Sequence, residues 1–101
     1  MKIAIATLGK EEDSKISDQA ARAPYFLIFD EKSNLIEALE NIHADKKRNA
    51  GGSAARFLAQ KGVNLFIAGN VGGRMARILE AEGIKYQAKS GNAKKVVQSI
   101  E

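Results

Sequence analysis

The sequence contains no cysteine in 101 residues. Disulfides are therefore excluded, and so is any metal or iron–sulfur centre held by thiolates of this chain. Histidine is almost as scarce. His43 is the only one, and a lone imidazole ahead of a basic segment reads as a surface residue rather than a ligand. Proline occurs once, at Pro24, and the aromatics are limited to two tyrosines and four phenylalanines. These rings sit mostly in apolar runs, not among the lysines and arginines, so the interleaving that marks a nucleic-acid binder is missing. No apolar run approaches the roughly 18 residues of a membrane span. The opening Met1-Lys2-Ile3-Ala4-Ile5-Ala6-Thr7 is too short and too β-like for the apolar segment of a secretion signal. The expectation is a cytoplasmic protein, with the membrane excluded and nucleic acid disfavoured as partners.

What is present suits one domain over residues 1–101. Hydrophobic residues make up 45% of the chain, enough to bury an ordinary core. The formal net charge is +4, with basic residues gathered at Lys46-Lys47-Arg48 and Lys94-Lys95. Such runs read first as solvated faces.

Lys2–Thr7 is an almost continuous apolar run, bounded by Gly9. It reads as a strand buried on both faces and hence central in a sheet. Tyr25–Phe29 reads as a second strand, started by Pro24 at a position that tolerates proline. The polar turn Glu31-Lys32-Ser33-Asn34 leads to Leu35–Ile42, whose mixed apolar and charged residues predict an edge strand closing an antiparallel hairpin.

The second half repeats itself. Gly51 to Val63 reads GGSAARFLAQKGV and, 21 residues later, Gly72 to Ile84 reads GGRMARILEAEGI. Ala54, Phe57 and Leu58 share one helical face, as do Met75, Ile78 and Leu79, and Gly62 and Gly83 supply the stops. Strands follow at Val63–Ala68 and Ile84–Ala88. A degenerate third copy closes the chain, in which Ser90-Gly91-Asn92 precedes Ala93, Val96, Val97 and Ile100. The pattern β-β-β-α-β-α-β-α with right-handed crossovers predicts a three-layer α/β/α sandwich. Its mixed five-stranded sheet has the order 3-2-1-4-5, with strand two antiparallel.

In that arrangement strands one, three, four and five end at one edge of the sheet. The segments Leu8–Ala23, His43–Asn49, Gly69–Val71 and Lys89–Asn92 collect there, on the edge where open α/β sheets bind ligands. Three helix N-termini meet at this edge, each offering unpaired N–H groups and partial positive charge. An anion suits such a surface. The expected ligand-binding residues are Gln19, Arg22, Gly51, Gly52, Ser53, Gly69, Asn70, Gly72 and Gly73. Arg22, Lys46, Lys47, Arg48 and Arg74 add side-chain charge.

Familiar catalytic and cofactor patterns are absent. Gly69-Asn70-Val71-Gly72-Gly73 is not the dinucleotide G-x-G-x-x-G, and Gly9-Lys10-Glu11 is not a Walker loop. Ser53 reads as a helix-start residue, since no His–acid pair can be placed beside it. Asp13, Asp18 and Asp30 flank the first two strands, but the central strand carries no carboxylate, against a two-metal nuclease. Met75 reads as core. No catalytic or metal-ligating residue is assigned.

MKIAIAT, ISDQAARAPYFLIFD, AGGSAARFLAQKGV and IAGNVGGRMARIL, in this order and spacing, resemble the dinitrogenase iron-molybdenum cofactor biosynthesis family, which includes NifX and the C-terminal part of NifB. The resemblance runs nearly end to end. It implies a ribonuclease H-like three-layer fold and a nitrogenase accessory factor that transiently binds an iron–sulfur or iron-molybdenum-type cluster, with cofactor-biosynthesis proteins as partners. The family form S-x-H-F-G-R-A-x-Y-F falls on Ser17 to Phe26, where Gln19 replaces the histidine and Ala20-Ala21 replace Phe-Gly. A neutral amide is a poor ligand for a soft or borderline metal. A non-enzymatic binding protein for an anionic ligand is therefore expected. The alternative is a regulatory or scaffold domain that contacts a partner through Leu35–Ile42 or its basic face.

Overall fold

A computed structural model describes residues 1–100, so only Glu101 of the expected domain lies outside the described residues. The elements are β1 (Lys2–Thr7), β2 (Tyr25–Asp30), β3 (Leu35–Glu40), α1 (Ala50–Gln60), β4 (Leu65–Ala68), α2 (Gly73–Ala81), β5 (Lys85–Ala88) and α3 (Ala93–Gln98). The sheet order is β3-β2-β1-β4-β5. β2 is antiparallel to β1 and β3, and β4 is parallel to both β1 and β5.

The alternation of β1 divides the core. Ala4 and Ala6 face α1 and α2, whereas Ile3 and Ile5 face α3. Small residues on the first face leave room for rings from the flanking strands. Phe26 beside Ala6 and Phe66 beside Ala4 meet edge to face over this stripe at 5.8 Å. Leu58, Met75 and Leu79 close that layer, and Leu27, Phe29, Ile67 and Val97 close the other.

Two boundaries differ from expectation for one reason. Helices α1 and α2 end in Schellman motifs, with Gly62 and Gly83 at φ +77° and +76°. The amides of Val63 and Ile84 turn back to the carbonyls of Leu58 and Leu79 at 3.2 and 2.8 Å. Neither amide is free for the sheet, so β4 begins at Leu65 and β5 at Lys85, each later than the apolar pattern implied. β3 likewise stops at Glu40 rather than Ile42, because Asn41 turns inward and is buried. Its pairing with β2 slips between Ile28 and Phe29. Leu39 thus packs toward α1, Leu35 toward α3, and Ile36 is turned out to 50% exposure. The third helix ends at Gln98; Ile100 lies beyond it but still packs on the α3 layer.

Candidate anion-binding groove

The two crossovers place α1 and α2 side by side on one face, with their starts above the carboxyl ends of β1 and β4. The 8–23 segment folds against the same edge. Ser17 N–H donates to Ala6 O and Ser17 O accepts from Gly69 N–H, both at 2.8 Å. Past Ser17 the chain forms a wall, anchored in the core by the buried Ala20 and Ala23. Asp18, Gln19 and Arg22 border a groove of about 580 Å³ on one side and a smaller hollow of about 310 Å³ on the other. Across the groove stand Lys47, Arg48, Asn49, Ala50 and Gly51; Asn70, Gly72, Arg74 and Met75 complete it.

Five of the nine expected residues therefore line the groove: Gln19, Arg22, Gly51, Asn70 and Gly72. The other four do not. Gly69 lies behind the wall, where a Cβ would come within 2.8 Å of Asp18 Cα, so close backbone approach explains this glycine. Gly52 makes room for the Asn49 side chain folded over the start of α1. Ser53 sits in the first turn and its Oγ accepts from Lys46 Nζ at 3.0 Å. Gly73 opens α2 but does not line the groove. The two glycine pairs also differ in register. Gly51 and Gly52 lie inside α1, which starts at Ala50 behind a left-handed Asn49 (φ 57°), while Gly72 caps α2. Gly72 and Gly73 have nothing within 4 Å of an added Cβ. Asn49, absent from the expected set, was signalled by its type: asparagine is favoured before a helix and tolerates that conformation.

The expectation of three converging helix starts needs correction. α3 packs on the opposite face, and its start is already occupied. Ala93 N–H donates to Ser14 O at 2.9 Å, Asn92 Nδ2 donates to Asp13 O at 3.0 Å, and Asn92 Oδ1 caps Lys95 N–H at 3.1 Å. Two helix starts, not three, border the groove.

The groove is electrically one-sided. Arg22, Lys47, Arg48 and Arg74 line it against a single carboxylate, Asp18. Among the described residues the ion pairs are Met1–Glu31, Lys61–Glu37 and Lys94–Glu12, and none involves a groove cation. Arg22 is oriented by its Nη1, which donates to Ala44 O at 2.8 Å. His43, expected at the surface, is half-buried instead, because its ring packs edge-on against Phe57 at 5.7 Å. Asp30 lies at the far end of the sheet, binding the Lys32 and Asn34 amides. Among the described residues no three His, Cys, Asp or Glu side chains gather as a metal-ligand set. No helix there is long and apolar enough to cross a membrane.

A family model described as dinitrogenase iron-molybdenum cofactor matches residues 1–101. The chain belongs to the dinitrogenase iron-molybdenum cofactor family. Solved structures agree. The apo form of the orange protein from Desulfovibrio gigas is 27% identical, with 96% of this chain and 83% of that one covered and a TM-score of 0.89. A Thermotoga protein with a provisional NifB assignment, solved by NMR, is 36% identical over 97% and 84% of the two chains, with a TM-score of 0.80. A third structure, 20% identical with a TM-score of 0.82, shares the fold. Among curated proteins none matches. Membership in the dinitrogenase iron-molybdenum cofactor family fits a small binding or accessory protein. The family pattern's histidine falls on Gln19, at the groove wall.

Proposed function

We propose that this protein is a non-catalytic carrier that holds an anionic metal–sulfide cluster, or its precursor, in the groove. The observation that carries the reading is the set of four cations, without carboxylate partners among the described residues, around the starts of α1 and α2. Backbone N–H groups at a helix start favour an anion, and the side-chain charges add to that field. With Gln19 on the wall and no ligand set beside it, the cargo keeps its own sulfide ligands. The protein holds it by charge and hydrogen bonds. That mode suits a cargo which must be received and released, because no metal–protein bond has to form or break.

Gln19, Arg22, Gly51, Asn70 and Gly72 are the expected residues that this reading retains at the cargo, joined by Lys47, Arg48 and Arg74. Partners in cofactor biosynthesis follow from the same reading, as source and recipient. The scaffold alternative gains less support. The slip opposite Ile36 breaks the regular edge on which a partner strand would add.

Tetrathiomolybdate, a simple soluble anion combining molybdenum with sulfide, serves as the probe. Anaerobic mixing followed by desalting should leave coloured protein that carries molybdenum by elemental analysis. Colourless, molybdenum-free protein after incubation with excess probe at low salt would discard the reading.

A further inference from the structure

Only three polar residues are buried among those described, Thr7, Ser17 and Asn41, and all three lie at the groove end of the sheet. An apolar interior with its few buried polar groups at one end has unusual backbone there to satisfy. Thr7 Oγ1 donates to Gly9 O at 2.7 Å and Ser17 Oγ accepts from Gln19 N–H at 3.1 Å, so both act locally. Asn41 does more. Its Nδ2 donates to Ala21 O at 2.8 Å and to Ala23 O at 2.9 Å, and its Oδ1 accepts from His43 N–H at 3.0 Å. Its own N–H donates to Pro24 O at 3.0 Å. Two carbonyls on one side and an amide on the other fix which way the side chain is turned.

These four bonds join two segments that are far apart in sequence. Residues 21–24 are the root of the wall carrying Gln19 and Arg22. Residue 43 begins the segment that carries Lys47, Arg48 and Asn49 to the opposite side of the groove. Arg22 Nη1 on Ala44 O is a second tie between the same segments, but it is exposed. The amide of Asn41 is the buried one, and buried hydrogen bonds are the costlier to break.

We infer that Asn41 is a positioning residue: it sets the distance between the wall and the basic segment, and so the affinity of a groove it does not line. This inference rests on the anion-carrier reading above. Asn41→Ala leaves two carbonyls without their donor. Asn41→Ser keeps one donor and serves as the milder variant should the first fail to fold.

Two measurements test it, both well below the melting temperature of each variant. The first is limited trypsin digestion. Asn41→Ala should be cut faster after Lys46, Lys47 and Arg48 while sites such as Lys61 and Lys89 keep the rate of the unaltered protein, with Asn41→Ser between. The second is titration with tetrathiomolybdate. Affinity should fall about tenfold in Asn41→Ala, as expected when the correctly spaced groove drops to about a tenth of the population, and its salt dependence should flatten as cations leave the groove. A merely structural asparagine would lower the melting temperature and speed all cleavages together, with affinity and salt dependence unmoved; that outcome overturns the inference. If the unaltered protein binds no probe while the variants are still cut selectively, the carrier reading falls and the tie between the segments stands.

Discussion

The two faces of the sheet use the same device and reach opposite results. On one face α2 starts at Gly72-Gly73 with open space where side chains would stand. On the other, α3 starts behind Gly91-Asn92; its first amides are taken by Ser14 O and the Asn92 cap, and Asp13 O holds the Asn92 side chain in place. The cations differ in the same sense. Lys94 is paired with Glu12 at 2.8 Å, and that hydrogen bond holds its ammonium pKa above the usual lysine range. Among the described residues the groove cations have no such partner. A helix start thus becomes a candidate site only where the chain leaves it unspent, and here one face is self-satisfied and the other is not.

The largest effect should come from charge. Reversing Lys47 and Arg48 together to Glu should weaken tetrathiomolybdate binding about 100-fold at low salt. The same reversal of Lys94 and Lys95 should leave it within about twofold; calorimetric titration reads both, and equal losses would erase the contrast between the faces. Next come the glycines. Gly69→Ala drives a methyl into the Asp18 backbone and should cost about 2 kcal/mol in urea unfolding. Gly72→Ala meets nothing, and the entropy gain offsets alanine's poorer N-cap preference, so stability should stay within about 0.5 kcal/mol of the unaltered protein. On the closed face, Asn92→Ala removes the α3 cap and should cost about 1 kcal/mol while leaving probe affinity unchanged.

The smallest effect concerns the far end of the sheet, where Asp30 caps the hairpin turn. Hydrogen bonds, that from the Asn34 amide foremost, hold its carboxyl pKa below the usual range. Its contribution is therefore present above the unfolded value and lost as pH falls through the lowered folded value. Melting temperatures of Asp30→Ala and the unaltered protein should differ slightly at neutral pH and converge in acid.

Much of this was legible from residue patterns. The Ile–Ala run placed β1 at the centre, the duplicated Gly-Gly units revealed the crossovers, and Gly62 and Gly83 marked the helix stops. Legibility failed where a backbone amide had a competing partner. Val63 and Ile84 look like strand residues, but their N–H groups close Schellman motifs. The occupied start of α3 was hidden for a different reason. The segment that fills it lies nearly 80 residues upstream and has no periodicity to announce its pairing with Asn92. Asn41 was missed because it follows a strand of mixed polarity, and only the fold shows that it turns inward between Ala21 and Ala23.

An anion seated at the starts of α1 and α2 should be visible residue by residue. Amide chemical shifts of the uniformly nitrogen-15-labelled protein, followed through an anaerobic tetrathiomolybdate titration, test it most directly. Saturable shifts are expected at Asn49–Gly51 and Gly72–Met75, with Asn92–Lys95 unmoved. Shifts centred on Asn92–Lys95, or spread evenly over the surface lysines without saturation, would contradict it.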